Sequence, residues 1–124
     1  RKKLRSEIER VCKSVAKAHG AKAIMRYEHL YPATVNDVGM TDLAGKAGAD
    51  VVGARKVVPQ ELTMGSEDMS YVLEEVPGCY VMLGSRNPKK GYVNPHHSPR
   101  FNFDEDALPV GVEFIVRAAE RYLS

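Results

Sequence analysis

Two adjacent histidines, His96 and His97, stand between Pro95 and Pro99, just ahead of the acids Asp104, Glu105 and Asp106. A neutral imidazole is the commonest protein ligand for transition metals, and whatever holds the ring decides where it points. Each proline fixes a backbone φ and stiffens the loop. The acids suit the positive end of a helix dipole, so the loop should run straight into a helix start. Metal ligation is therefore one chemistry open to these residues. A loop histidine that only makes a hydrogen bond is the plainer alternative, and spacing does not choose between them.

The surrounding elements must position that loop. Leu4, Ile8, Val11, Cys12 and Val15 recur at helical spacing and predict an amphipathic helix over residues 2–18, ended by Gly20. Residues 21–31 alternate, with Ala23, Met25 and Tyr27 against Lys22, Arg26 and Glu28, as a half-buried strand does. Asn36 and Asp37 are good caps for a short helix carrying Leu43 and Ala44 and closed by Gly48. Val51-Val52 and Lys56-Val57-Val58 allow a short strand before Pro59. Ser66 should cap a helix whose first turn holds Glu67 and Asp68 and whose apolar side holds Met69, Val72, Leu73 and Val76. After a Pro77-Gly78 turn, the apolar run Cys79–Leu83 reads as a strand covered on both faces. Leu108, Val112, Ile115, Val116, Ala119 and Leu123 trace the expected buried stripe of a final helix, with Pro109 in its first turn. Helices alternating with strands predict an α/β class.

Composition excludes several functions. The 124 residues are 44% hydrophobic and 27% charged, ordinary for a globular protein, and the net charge is +2. That charge is too small to argue for nucleic acid or an anionic membrane surface, and no apolar run approaches the roughly 20 residues that span a bilayer. Arg1, Lys2, Lys3 and Arg5 are followed at once by Glu7 and Glu9, which reads as a solvated helix face. Cys12 and Cys79 make no disulfide framework, so reduced thiols and a cytoplasmic location are expected.

The segment His97–Leu108, H-S-P-R-F-N-F-D-E-D-A-L, resembles the C-terminal signature of the metal-dependent amidohydrolases of the aminoacylase/carboxypeptidase superfamily. The similarity is to the branch of N-acyl-amino-acid amidohydrolases, hippurate hydrolases and auxin-conjugate hydrolases. Tyr31–Asp37, Y-P-A-T-V-N-D, is similar to that family's junction between lid and catalytic domain. Met64–Tyr71, M-G-S-E-D-M-S-Y, is similar to its G-S-E-D-F-S-Y segment. The resemblance implies that residues 1–35 end a ferredoxin-like lid and dimerisation domain with a helix and a strand. It implies that residues 36–124 are the C-terminal half of a zinc-peptidase-like α/β catalytic domain.

It also implies site roles. His97 occupies the position of the family's last metal ligand, and His96 beside it would support the ligand or merely shape the loop. Glu67 and Asp68 would touch the outer surroundings of the site, or only complement a helix dipole. Asn36, at the domain junction, would bind a substrate carboxylate or carbonyl, or only cap the next helix. The implied cofactor is a divalent metal, zinc first, with manganese, cobalt or nickel as alternatives. The implied reaction is attack of metal-activated water on the amide of an N-acyl amino acid or small peptide. The implied assembly is a homo-oligomer through the lid.

Family members carry a G-x-H-D or G-C-x-H-D-x-H segment, a paired-acid segment and a further histidine, none of which occurs in residues 1–124. One imidazole does not make a binuclear centre, since zinc normally takes three or four protein ligands. The chain thus reads as part of an amidohydrolase, incomplete and inactive alone. The alternative is a non-catalytic truncated remnant or oligomerisation module.

Overall fold

A computed structural model describes all residues, 1–124, as two units, Arg1–Leu30 and Tyr31–Ser124. In the first unit, α1 runs over Lys2–Ala18 as the spacing predicts. Glu7–Arg10 and Glu9–Lys13 ion pairs at 2.7 and 2.6 Å lace its surface. Gly20 takes φ 67°, the left-handed value that ends helices. The amides of Gly20 and Ala21 then reach back to the carbonyls of Lys17 (3.1 Å) and Ala16 (2.8 Å), satisfying the last turn.

Residues 21–28 keep the alternation seen in the sequence. Ala23, Met25 and Tyr27 are half-buried, and Lys22, Ile24, Arg26 and Glu28 are exposed. The Arg5 guanidinium sits 5.5 Å above the Tyr27 ring, which ties the segment to α1. The expected strand is nevertheless not formed. A strand exists only through hydrogen bonds to a second backbone, and within the first unit the only other element is the helix α1. The apolar stripe of α1 likewise stays open, with Leu4, Ile8, Val11 and Val15 all exposed.

In the second unit, α2 spans Val38–Val52. Asp37 caps it, its carboxylate accepting from the Met40 amide at 2.9 Å while its own amide donates to the Gly78 carbonyl at 2.9 Å. Removing the cap with Asp37→Ala should cost about 1 kcal/mol of stability. Chemical denaturation measures it, and an unchanged midpoint would show that water replaces the cap.

Gly48 does not close α2. The helix continues to Gly53, whose φ of 84° breaks it, and the strand anticipated over Val51–Val58 is replaced by the last helical turn and a 3₁₀ turn at Ala54–Lys56. Gly48 instead serves packing. A Cβ there would lie 3.2 Å from Val57 Cγ2 and 4.0 Å from Phe114 Cε2, so the missing side chain is what lets Val57 and Phe114 approach.

The helix α3 spans Met69–Glu75 and is entered through Asp68, not through a Ser66 cap. Glu67 and Asp68 therefore precede the helix, and its first turn holds no acid. Ser70 Oγ donates to the Glu67 carbonyl at 2.6 Å, which satisfies the one fully buried hydroxyl.

The last helix, α4, spans Ala107–Leu123 with Pro109 in its first turn, as expected. Its expected buried stripe is the wrong face. Leu108, Val112, Ile115, Val116 and Leu123 are exposed, from 50% for Val116 to 83% for Leu123. The half-buried residues are Ala107, Val110, Gly111, Phe114 and Ala118, on the helix that packs against α2. The helix is apolar on more than one side, so periodicity alone could not pick the face. Packing chose one that includes Gly111, where a Cβ would stand 3.1 Å from Leu83 Cδ2. Arg121 adds a tie to α2, its Nε and Nη2 reaching Asp50 Oδ2 at 2.8 and 2.6 Å.

The apolar run at Cys79–Leu83 corrects the expectation of a strand covered on both faces. It forms no ladder, and Tyr80, Val81, Met82 and Leu83 are exposed. The α/β architecture is thus present in its helices only; the single backbone pairing is the isolated bridge Asn87–Tyr92. Ala47 is the only fully buried apolar residue. No helix is long and apolar enough to cross a membrane.

Candidate metal-ligand loop

The histidine loop is tied at both feet before it reaches the histidines. Asn87 and Tyr92 exchange backbone hydrogen bonds at 3.0 and 2.9 Å around the 3₁₀ turn Pro88–Lys90, which Gly91 closes at φ 78°. The Asn87 side-chain oxygen also accepts from the amides of Lys89 and Lys90, and its Nδ2 donates to Asp104 Oδ2 at 2.5 Å. Lys90 Nζ reaches Asp104 Oδ1 at 2.5 Å and Asp106 Oδ2 at 2.9 Å. The Asp104 amide donates to the Ser85 carbonyl at 2.9 Å. Asp104 and Asp106 are therefore engaged by Lys90, while Asp106 also stands at the N-cap position of α4, where its side chain makes no capping bond.

Those contacts shift both groups. The hydrogen bonds from Asn87 and then Lys90 hold the Asp104 carboxyl below its ordinary 3.8, and those from Asp104 and Asp106 raise the Lys90 ammonium above its ordinary 10.5. The carboxylate's contribution is complete above 3.8 and is lost as pH falls through the lowered value. The ammonium's contribution is complete below 10.5 and is lost as pH rises through the raised value. The tie should hold everywhere between. Carbon NMR of the Asp104 carboxyl checks this, and a midpoint at or above 3.8 would contradict it.

Within the loop, the Ser98 amide donates to the Pro95 carbonyl at 3.3 Å, making a turn with His96 and His97 at its two central positions. His97 takes φ 65°, the one non-glycine residue in the chain with a positive φ. Turns with a left-handed third residue ordinarily place Gly or Asn there. A histidine in that place costs of the order of 1–2 kcal/mol, and strain kept at one residue points to a function for its side chain. Both imidazoles are exposed. The His96 ring meets the Phe101 ring edge-on at 4.6 Å, leaving His96 packed and His97 6.5 Å away from it at the turn. Asn94 Nδ2 braces the far side by donating to the Arg100 carbonyl at 3.1 Å.

Asn36 and Glu67 converge elsewhere in the unit, on Tyr80. Asn36 Oδ1 accepts from the Tyr80 amide at 2.8 Å, and its Nδ2 donates to the Tyr80 carbonyl at 3.0 Å, with Cys79 Sγ 3.3 Å away. The side-chain amide thus pairs with the backbone as a neighbouring strand would. Tyr80 Oη donates to Glu67 Oε2 at 2.9 Å, and that hydrogen bond, ahead of desolvation and the carboxylate's charge, raises the phenol above its ordinary 10. Asp68 makes no capping bond to α3. Tyr80, Asn87 and Lys90 escaped the reading of the sequence. The Asn87-Pro88 turn signal with Gly91 behind it could have found the latter two; nothing local marks Tyr80.

The loop suits one metal bond and no more. An exposed imidazole on a braced turn has the right donor chemistry for zinc or a similar ion. No three His, Cys, Asp or Glu side chains gather anywhere in the chain in a way that could hold an ion.

The structure thus offers a helical framework with one exposed histidine held at a left-handed, braced turn. The sequence profile of Peptidase family M20/M25/M40 matches residues 10–121, and this chain belongs to that family. It is 38% identical to thermostable carboxypeptidase 1 of Saccharolobus solfataricus over 90% of this chain and 28% of the relative. It is 31% identical to IAA-amino acid hydrolase ILR1-like 6 of Arabidopsis thaliana over 98% of this chain and 27% of the relative. It is 36% identical to IAA-amino acid hydrolase ILR1-like 2 of the same plant over 74% of this chain and 21% of the relative. The chain spans less than a third of the length of these curated relatives. No solved structure matched.

Proposed function

We propose that this chain supplies one ligand and part of the substrate floor of a metal-dependent hydrolase of amide bonds. The observation that carries the proposal is the left-handed backbone of His97 at an exposed, braced turn, in a chain whose named relatives are carboxypeptidases and amino-acid-conjugate hydrolases. The substrates are N-acyl amino acids or small peptides. Zinc is the first choice of metal, with manganese, cobalt and nickel next. Such an ion, when bound, polarises a carbonyl and lowers the pKa of water to near neutrality.

The residues of this chain hold and orient. His97 offers its imidazole to one ion, and the His96–Phe101 contact keeps the neighbouring ring out of its way. Asn36 and Glu67 act through Tyr80, bracing the wall that the apolar run forms, so Asn36 is a backbone tie in preference to a substrate binder. Asp68 keeps only an outer role. Residues 1–35 form the end of a lid and dimerisation domain, and residues 36–124 the C-terminal part of an α/β catalytic domain. The segments at 21–30 and 79–83 become strands when paired with backbone that this chain does not contain. The uncovered stripe of α1 supports assembly into homo-oligomers, and the cytoplasm is the compartment that free thiols favour.

Removing divalent metal from the full protein with a chelator should abolish cleavage of an N-acyl amino acid, and adding back zinc or manganese should restore it. Cleavage that persists in chelator would sink the reading. A second reading is a remnant or oligomerisation module without hydrolase activity, and the uncovered apolar stripe of α1 is the observation that fits it. Cleavage by no preparation, with any of the four metals, would establish it.

A further inference from the structure

Resting on the reading of His97 as a ligand, we propose that Asp104 is a positioning residue: its carboxylate locks both feet of loop 85–104 together and so sets where the His97 ring points. Three ties meet at this one residue. Its two carboxylate oxygens take Asn87 Nδ2 and Lys90 Nζ, each at 2.5 Å. Its amide donates to the Ser85 carbonyl at 2.9 Å. Residues 17, 14 and 19 positions earlier in the chain are thereby closed onto the residue where the loop ends.

Asp104 is well placed for the task. Its side chain is only 14% exposed, so its bonds compete little with water, whereas Asp106, at 83%, is a solvated auxiliary to the same lysine. Within the closed loop, the bridge at Asn87–Tyr92 and the Asn94–Arg100 contact divide the chain into short spans. The turn at Pro95–Ser98 is the summit of what remains, and its strained φ persists only while the surroundings impose it. Release of the feet would let that residue relax toward an ordinary φ and swing its ring away. Asp104 touches no metal or substrate in this account; it acts through the backbone, as partners of metal ligands commonly act through orientation.

The test uses the full protein loaded with zinc and three variants: Asp104→Asn, Lys90→Met and His97→Gly. Zinc affinity is read by competition with a chelator, and loop order by hydrogen exchange at the amides of residues 92–103. We expect Asp104→Asn to weaken zinc about 10- to 100-fold and to speed exchange in the loop, with a lower metal-free melting temperature from the lost ion pair. Lys90→Met should do the same to a smaller degree. Unchanged exchange in Asp104→Asn overturns the proposal. So does unchanged affinity in Asp104→Asn beside lost affinity in His97→Gly, since the tie would then be a staple with no bearing on the ring. Unchanged affinity in His97→Gly overturns the ligand reading itself and the proposal with it, and is recognised by that variant alone.

Discussion

His97→Gly should destroy metal-dependent activity while leaving the metal-free fold as stable as before. Those two effects are normally hard to separate, because deleting a functional side chain also deletes its packing. Here the backbone separates them. At φ 65° the histidine pays a steric cost that glycine does not. Glycine loses more chain entropy on folding, by roughly 0.5–1 kcal/mol, which about cancels the strain relieved. The exposed ring contributes little burial to lose. Metal-free stability, measured by denaturant, should therefore stay within about 1 kcal/mol of the parent. Loss of a direct ligand should exceed the 10- to 100-fold typical of its supporting partners, so kcat/KM should fall by more than about 100-fold. Stability has to be compared without metal, because a bound ion stabilises whichever variant holds it. A His97→Gly protein that hydrolyses substrate at the parental rate would show that the histidine is a strained loop residue and nothing more.

Asn36→Asp should unfold the protein more readily, by about 1–3 kcal/mol. The substitution keeps Oδ1 for the Tyr80 amide and keeps the shape of the side chain. It replaces the Nδ2 donor by a second oxygen, which then faces the Tyr80 carbonyl at the 3.0 Å now spanned by a hydrogen bond. The carbonyl loses its partner, and a half-buried negative charge is set against it. The loss should appear as a lower denaturation midpoint in the metal-free protein. Had the amide bound substrate, the same change would raise KM and leave the midpoint alone. The ratio of these two effects decides between a substrate contact and a backbone tie.

What could be read from residues and what could not divides along the range of the interactions. The helices α1 and α4, the cap at Asp37 and the stop at Gly20 follow from hydrogen bonds and side-chain contacts within five residues, so their spacing and end signals were visible in the chain. The two adjacent histidines and their prolines were visible for the same reason. Face selection was not. The stripe from Leu108 to Leu123 and the face containing Phe114 are both apolar, and only contact with α2 chose the second. Nor was the extension of α2 past Gly48 visible, since Val57 and Phe114, which explain that glycine, lie outside the helix.

The strands show the same limit from the other side. Alternation at 21–28 survives as alternation in burial, yet no strand exists without a second backbone to bond to. Asn36 reached 44 residues ahead to Tyr80, and Asp104 reached back to Asn87 and Lys90, through partners that no local pattern pairs. The left-handed turn at His97 belongs with them. Residue type put an imidazole there, but left to itself that residue prefers another φ. Its backbone angle is a property of a loop closed at both feet, and loop closure is tertiary structure.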